Sequence, residues 1–191
     1  MTLFPTLATA RVELEPTSFR SALDLPEELG IDPDDAAGMP DLDLVVELAC
    51  PAEPGRIALQ YDVRPGGADG GADGGADGGD PVGIATLWDL DPHAGHVRAG
   101  VQLAPGADAV VARETRLLLL NVAFATWRVA KVYVHEVHGA WAWDAPGARL
   151  EGTLRDYLHD GSRTLDMDVV AVHRSDWDRE GREVLGALLG D

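Results

Sequence analysis

Apolar and polar residues alternate along several segments of the chain, in the pattern of half-buried β-strands. The segment "ATARVELEP" places Val12 and Leu14 on one face. The segment "GRIALQYDVR" does the same for Ile57, Leu59 and Tyr61. Both segments are therefore predicted to be strands with one face in the core.

Further along the chain, two predicted strands flank the turn "DPHAG", which is rich in turn-forming residues. "PVGIATLWDLD" precedes this turn and "GHVRAGVQLAP" follows it. "KVYVHEVHG" alternates like a central strand, and "LEGTLRDYLHDG" with "RTLDMDVVAVH" predicts a closing hairpin. These patterns indicate a fold with a large sheet.

A different spacing predicts the main helix. Leu117, Leu120, Phe124 and Trp127 recur at helical intervals, so a buried helix is expected from Val111 to Trp127.

Weaker patterns predict shorter helices. Ser18 is a plausible N-cap for a helix that ends near Pro26, and the acidic stretch up to Pro40 is expected to be exposed and loosely helical. "LDLVVELAC" fits either a strand or a helix. "AWAWDAPGA" is predicted to be a short helix broken by Pro146, and the tail from Ser175 another short helix.

Element order and length together predict one domain. The 191 residues suffice for one sizeable core, and the order of elements indicates a single α+β domain over residues 1–191. Its central sheet is expected to be mostly antiparallel, twisted and flanked by helices. The Gly-Ala-Asp repeat at 66–80 is predicted to be a flexible loop, because it lacks the large apolar residues that calcium-binding repeats need.

Charge narrows the range of partners. The formal net charge is -18, which repels phosphate backbones and anionic lipids, so neither nucleic acid nor membrane is an expected partner. A cationic or amine-bearing partner is favoured, although an acidic surface also serves solubility alone. With no signal-peptide pattern or membrane-length apolar run, the expected location is the cytoplasm. Cys50 is the only cysteine, which excludes an intrachain disulfide.

Candidate proton-transfer groups crowd the end of one predicted strand. Glu136 and His138 are expected on one face and His135 on the other, since alternate strand residues point to opposite faces. These three are the candidate catalytic residues, and a solvated strand end is the alternative interpretation. A metal site that adds His93 and His96 is not favoured, because no helical His-x-x-x-His spacing is present.

Three stretches resemble the GNAT superfamily of acyl-CoA-dependent N-acyltransferases. They are "GIATLWDLDPHAGHVRAGVQLAP", "RETRLLLLNVAFATWRVAKVYVHEV" and "GARLEGTLRDYLHDGSRTLDMDVVAV". The run from Glu151 to Arg155 is the most specific, and it is similar to the branch that acetylates ribosomal-protein N-termini. The resemblance implies an N-acetyltransferase that uses acetyl-CoA or another acyl-CoA and acts on a small amine or a peptide N-terminus. A homodimer is common in that family.

The same resemblance implies roles for individual residues. The family's CoA arm pairs with a strand that splays from its neighbour, and its pyrophosphate lies at the start of the following helix, where backbone N–H groups and the helix dipole favour anions. The implied cofactor-binding residues are Val101, Gln102, Leu103, Val111, Ala112 and Arg113. The implied acceptor-side residues are Trp88, Arg155 and Asp156.

Departures from the family pattern leave a second hypothesis open. Two family glycine positions fall on Asp108 and Val110, where a carboxylate adds like charge and a β-branched side chain disfavours positive φ. Ala99 stands where some relatives carry a glutamate base, and the segment after "KVYVHEVHG" is shortened. The alternative is a GNAT-fold protein without ordinary acetyl-CoA use. It would be a binding or regulatory module, or an enzyme with a different reaction in a specialised, secondary-metabolite pathway.

Overall fold

One twisted sheet organises the computed structural model, which describes residues 4–20, 24–29, 41–66, 80–140, 142–161 and 163–189. Its strands are β1 (Leu7–Ala8), β2 (Val12–Pro16), β3 (Ile57–Pro65), β4 (Gly83–Asp91), β5 (His96–Leu103), β6 (Lys131–Val137), β7 (Ala148–Asp160) and β8 (Arg163–His173). They lie in the order β1-β2-β3-β4-β5-β6-β8-β7. Only β5 and β6 pair in parallel among these described strands. The predicted α+β class with a mostly antiparallel sheet is confirmed.

Helices cover both faces of this sheet. They are α1 (Leu25–Glu28), α2 (Leu42–Leu48), α3 (Ala109–Thr126), α4 (Arg174–Asp176) and α5 (Arg182–Leu189). A 3-10 turn occupies Pro54–Arg56, and a π-helical segment, Trp177–Gly181, joins α4 to α5. Among the described helices, none combines the length and apolar character that a bilayer crossing requires.

The main core lies between α3 and one sheet face. Leu117, Leu119 and Leu120 of α3 are at most 1% exposed, and Val12 and Leu14 of β2 are fully buried in the same cluster. The predicted helix and the predicted inward face of the first long strand are therefore confirmed. α3 begins two residues before the predicted start, at Ala109.

The shorter α2 covers the opposite face. Leu44 packs against Leu158 of β7 and Met167 of β8, and Val45 packs against Ile84 of β4. The segment "LDLVVELAC", which fitted a strand or a helix, is thus helical through Leu48. This placement puts the sheet between two helices and makes α2 the cover of its second face.

A break in the sheet separates β5 from β6. The two strands pair only at three positions, from His96↔Lys131 to Arg98↔Tyr133. Beyond Arg98, β5 pairs with β4 alone, while the later residues of β6 pair with β8 alone. Backbone groups of β5 that point toward β6 therefore have no strand partner there.

Two helix predictions were wrong. Residues Thr17 to Arg20 are irregular, and the nearby helix begins at Leu25 rather than ending by Pro26. Proline is compatible with the first turn of a helix, because the N–H it lacks has no partner there. The short helix predicted within "AWAWDAPGA" is absent from the described residues 142–148. There the Glu136 side chain bonds the Ala142 and Trp143 amides, so they need no helical partner.

Other predictions agree or lie outside the described residues. The strands around "DPHAG", the strand "KVYVHEVHG" and the closing hairpin are all confirmed. The C-terminal helical tail is confirmed and begins one residue earlier, at Arg174. The acidic stretch at 30–40 and the repeat at 67–79 lie outside the described residues.

Gly100 sets how closely α2 approaches the sheet, and its replacement by alanine tests this. An added Cβ would lie 2.4 Å from Ala49 Cα and 2.6 Å from Leu48 O. We expect Gly100→Ala to lower the free energy of unfolding by about 1–3 kcal/mol, since backbone atoms must move. Gly152→Ala is the matched control, because nothing lies within 4 Å of its added Cβ. Urea denaturation measures both, and equal stability of the two variants would contradict the close packing of α2.

Candidate functional site

A cleft occupies the gap where β5 leaves β6. It has a volume of about 170 Å³. Its lining combines the ends of two strands, one side of α2, Arg116 of α3 and the loop after β6: Leu44, Val45, Leu48, Ala49, Val101, Gln102, Arg116, His135, Glu136, Val137, Ala140, Ala142 and Trp143. Because residues from both sheet faces line it, the cleft extends through the sheet.

A larger cavity near the N-terminal strands is a poorer candidate. It measures about 390 Å³ and is lined by Phe4, Phe19, Ile57 and neighbouring residues. None of its lining residues is titratable, whereas the cleft contains an arginine, a histidine and a glutamate. Perturbed titratable groups in a concave site favour the cleft as the place for chemistry.

Glu136 is a buried carboxylate in this cleft. Its Oε1 accepts hydrogen bonds from the amides of Ala142 at 2.8 Å and Trp143 at 3.0 Å. Its Oε2 is buried and has no hydrogen-bond partner among the described residues. Burial raises the pKa of Glu136, and the two amides and nearby Arg116 oppose that rise. A carboxylate with one free oxygen and a raised pKa is suited to accepting a proton near neutral pH.

His135 lies in a charged network on the α2 side. Its Nδ1 is 2.6 Å from Arg98 Nη2 and 3.1 Å from Glu47 Oε1. Arg98 also donates to Glu47 Oε1 at 3.0 Å. Burial favours a raised pKa for Glu47, but its bonds to His135 and Arg98 outweigh burial and lower it. Nδ1 can accept from Arg98 only with a lone pair and can donate to Glu47 only as N–H, so the tautomer of His135 decides which of the two contacts is a hydrogen bond.

His138 lies beyond the end of β6 and outside the cleft lining. Its Nδ1 is 2.9 Å from Asp168 Oδ1, which also accepts from Thr153 Oγ1 at 2.6 Å. This contact and the charge of Asp168 raise the pKa of His138. The described residues contain no hydrogen bond between His138 and Glu136, the two residues predicted to share a face. Asp168 was not among the predicted site residues, because it is far from Glu136 along the chain. It lies directly opposite Glu136 across the β6–β8 pair.

Hydrogen bonds within the loop from β5 to α3 fix its conformation. Gly106 has φ +81° and follows a proline, and Ala107 N–H donates to Ala104 O at 3.2 Å, as in a type II β-turn. Asp108 is the N-cap of α3, and its Oδ1 accepts from Val110 N–H at 2.8 Å. A carboxylate therefore occupies a helix N-terminal donor that an anionic ligand would otherwise use.

The remaining implied cofactor residues divide into two groups. Val101 and Gln102 line the cleft, whereas Leu103 does not. Val111, Ala112 and Arg113 lie in the first two turns of α3, where Arg113 is exposed. Their roles stay predictions.

The implied acceptor-side residues are not brought together. Trp88 is 1% exposed and lies under Arg98, whose guanidinium carbon is 5.0 Å from the ring centroid. Arg155 and Asp156 lie on the exposed part of β7, away from the cleft lining. Asp156 has φ +50° and accepts from Thr164, so it has a structural role at a strand irregularity.

Solved structures share the overall arrangement. Mycobacterium smegmatis RimJ, solved with CoA-disulfide, superposes with a TM-score of 0.66 at 17% identity, covering 95% of this chain and 93% of that one. A GCN5-related N-acetyltransferase from Brucella melitensis gives 0.63 at 17% identity, with 97% and 86% covered. The chain has the GNAT fold. Spermidine N-acetyltransferase from Vibrio cholerae, solved with CoA and spermine, gives 0.51 at 17% identity over 62% and 67%.

Sequence comparison adds nothing to this GNAT fold assignment. No protein-family model matches the chain, and no curated protein matches it. Within the described residues, no group of three or more His, Cys, Asp or Glu side chains is arranged to hold a metal ion.

Proposed function

We propose that the chain is an acyltransferase that moves an acyl group from a thioester of the CoA type to an amine. The observation that carries this proposal is the cleft at the β5–β6 gap, with Glu136 inside it. Unpaired backbone groups along Gly100 to Leu103 suit an extended, amide-containing arm, which can pair with them as a strand would. CoA fits less well at the start of α3, because the Asp108 carboxylate already accepts from the Val110 amide that a pyrophosphate would use.

A thioester supplies an activated carbonyl carbon: the amine nitrogen bonds to it, the C–S bond breaks and the thiolate leaves. The amine must lose a proton, and Glu136 lines the cleft with a buried Oε2 that has no hydrogen-bond partner among the described residues. His135 also lines the cleft, and in the tautomer whose Nδ1 accepts from Arg98, its Nε2 is a hydrogen-bond donor. In this proposal Glu136 removes the proton and His135 stabilises negative charge.

The acceptor is proposed to be a cationic amine. A net charge of -18 attracts polyamines and basic peptide N-termini and raises their rate of encounter at low ionic strength. A polyamine is also present in the Vibrio cholerae structure, which contains spermine. Acceptors of this class are therefore the first to assay.

A second candidate function follows from the loop before α3. Asp108 caps the helix, Val110 follows it, and the single loop glycine forms the turn at Gly106. These residues favour a GNAT-fold protein that binds a ligand in the same cleft without using CoA. The two candidates differ in one measurable property, the affinity for CoA.

CoA binding separates the two candidates. A ligand at 100 times its Kd stabilises the folded state by about 2.7 kcal/mol, which raises Tm by roughly 5–10 °C in a chain of this size. We expect CoA to raise the wild-type Tm and to bind about tenfold more tightly to Asp108→Gly, because a like charge is removed and a donor is freed.

Asp108→Asn is the matched control, since it keeps the cap and removes only the charge. No CoA-induced change in Tm, for either the wild type or Asp108→Gly, would remove the first candidate and leave the second.

Glu136→Gln tests the proposed base. Glutamine keeps the oxygen that bonds Ala142 and Trp143, so the loop should retain its shape. We expect thiol release from acetyl-CoA with spermine or a basic peptide to fall by about 100-fold or more in kcat, with little change in KM. The wild-type rate should rise with pH through the raised pKa of Glu136, because only the ionised carboxylate accepts a proton.

Glu53→Gln is the control for this charge change. Glu53 is exposed and makes no side-chain cap bond at the turn it precedes. An unchanged kcat in Glu136→Gln would show that proton removal occurs elsewhere.

A further inference from the structure

Arg116 places a guanidinium in the wall of the cleft. Its Nη1 donates to the backbone oxygen of Ala142 at 3.0 Å, and its guanidinium carbon lies 5.9 Å from the Trp143 ring centroid. Its Nε is buried and has no hydrogen-bond partner among the described residues. The contacts to Ala142 and Trp143 hold the side chain in place but leave a charged donor unused.

No carboxylate of the described residues pairs directly with this guanidinium. Glu136 is near enough for its charge to act on Arg116, yet its Oε1 is engaged by two amides and no ion pair joins the two side chains. Buried charged donors are normally hydrogen-bonded, so an unpaired Nε in a residue that lines the cleft points to a missing acceptor. The planar guanidinium matches the geometry of a carboxylate better than that of any neutral group.

We propose that Arg116 binds a carboxylate of the ligand, so that the cleft accepts a short acyl group with a terminal carboxylate. This deepens the proposed function and rests on it for the thioester arm. The same carboxylate chemistry is also offered by a free short dicarboxylic acid, which needs no CoA. Arg116 is then a specificity residue for the acyl group.

Cleft size limits the length of this group. A volume of about 170 Å³ corresponds to roughly six water molecules at ~30 Å³ each. Malonyl and succinyl groups have few enough heavy atoms for this space, and fatty acyl chains do not. The long-range field of the acidic chain opposes an anion, so the site depends on the local charge of Arg116.

Calorimetric titration of the full chain tests the assignment. The probes are acetyl-CoA, malonyl-CoA and succinyl-CoA, together with free malonate and succinate. We expect the better of the two carboxylated thioesters to bind the wild type at least about tenfold more tightly than acetyl-CoA. Arg116→Met should abolish this preference without weakening acetyl-CoA binding, and Arg116→Lys should restore part of it.

Arg128→Met is the control, because Arg128 is an exposed arginine just past the end of α3. Thermal melts establish that each variant is folded before titration. Binding of free malonate or succinate that depends on Arg116, with no binding of any CoA compound, would support the carboxylate site and contradict the proposed acyltransferase function.

Two results would overturn the carboxylate site. In the first, acetyl-CoA binds as tightly as the carboxylated thioesters and Arg116→Met changes none of these affinities, which leaves the acyltransferase proposal intact. In the second, none of the carboxylated probes binds. Arg116 would then only tether the loop at Ala142.

Discussion

The candidate site depends on the point at which β5 and β6 stop pairing. Their parallel ladder ends at Arg98↔Tyr133, and each strand then follows its other neighbour. A sheet interrupted in this way exposes backbone groups that would otherwise be paired. It also leaves an open space between the two strands, bounded by the side chains packed on both faces. α3 on one face and α2 on the other supply the walls, so the same core that stabilises the domain also shapes the cleft.

Charges within this gap are arranged unequally on the two sides of the sheet. On the α2 side, Arg98, Glu47 and His135 contact one another, although Arg98 Nε is buried without a partner in the described residues. On the α3 side, Glu136 and Arg116 each retain a buried atom without a partner in the described residues. Unsatisfied buried groups reduce stability, and sites that bind ligands commonly carry such groups. Glu136 and Arg116 line the cleft, whereas Arg98 does not, so the α3 side is where we place proton removal and recognition of the acyl group.

Sequence periodicity was sufficient for most of the framework, because α3 and the long strands have apolar faces of regular spacing. It failed near Ser18 and after His138, where side-chain bonds and a proline decide the backbone. The strand that contains Glu136 and His135 was predictable, but the partners of these residues were not. Asp168, Glu47 and Arg116 are distant in sequence and meet them only through strand order and helix docking. The sequence placed Asp108 in the loop before α3, but its capping bond to Val110 depends on the folded backbone and was not predicted.

Backbone amide NMR mapping of CoA binding tests the central claim most directly, since the claim is that the β5–β6 gap receives the ligand. Titration should shift the amides of Val101, Gln102, Ala142 and Trp143, which line the cleft. The cavity around Phe19 and Ile57 should be unaffected. Shifts confined to that cavity, with none along β5 and β6, would contradict the account.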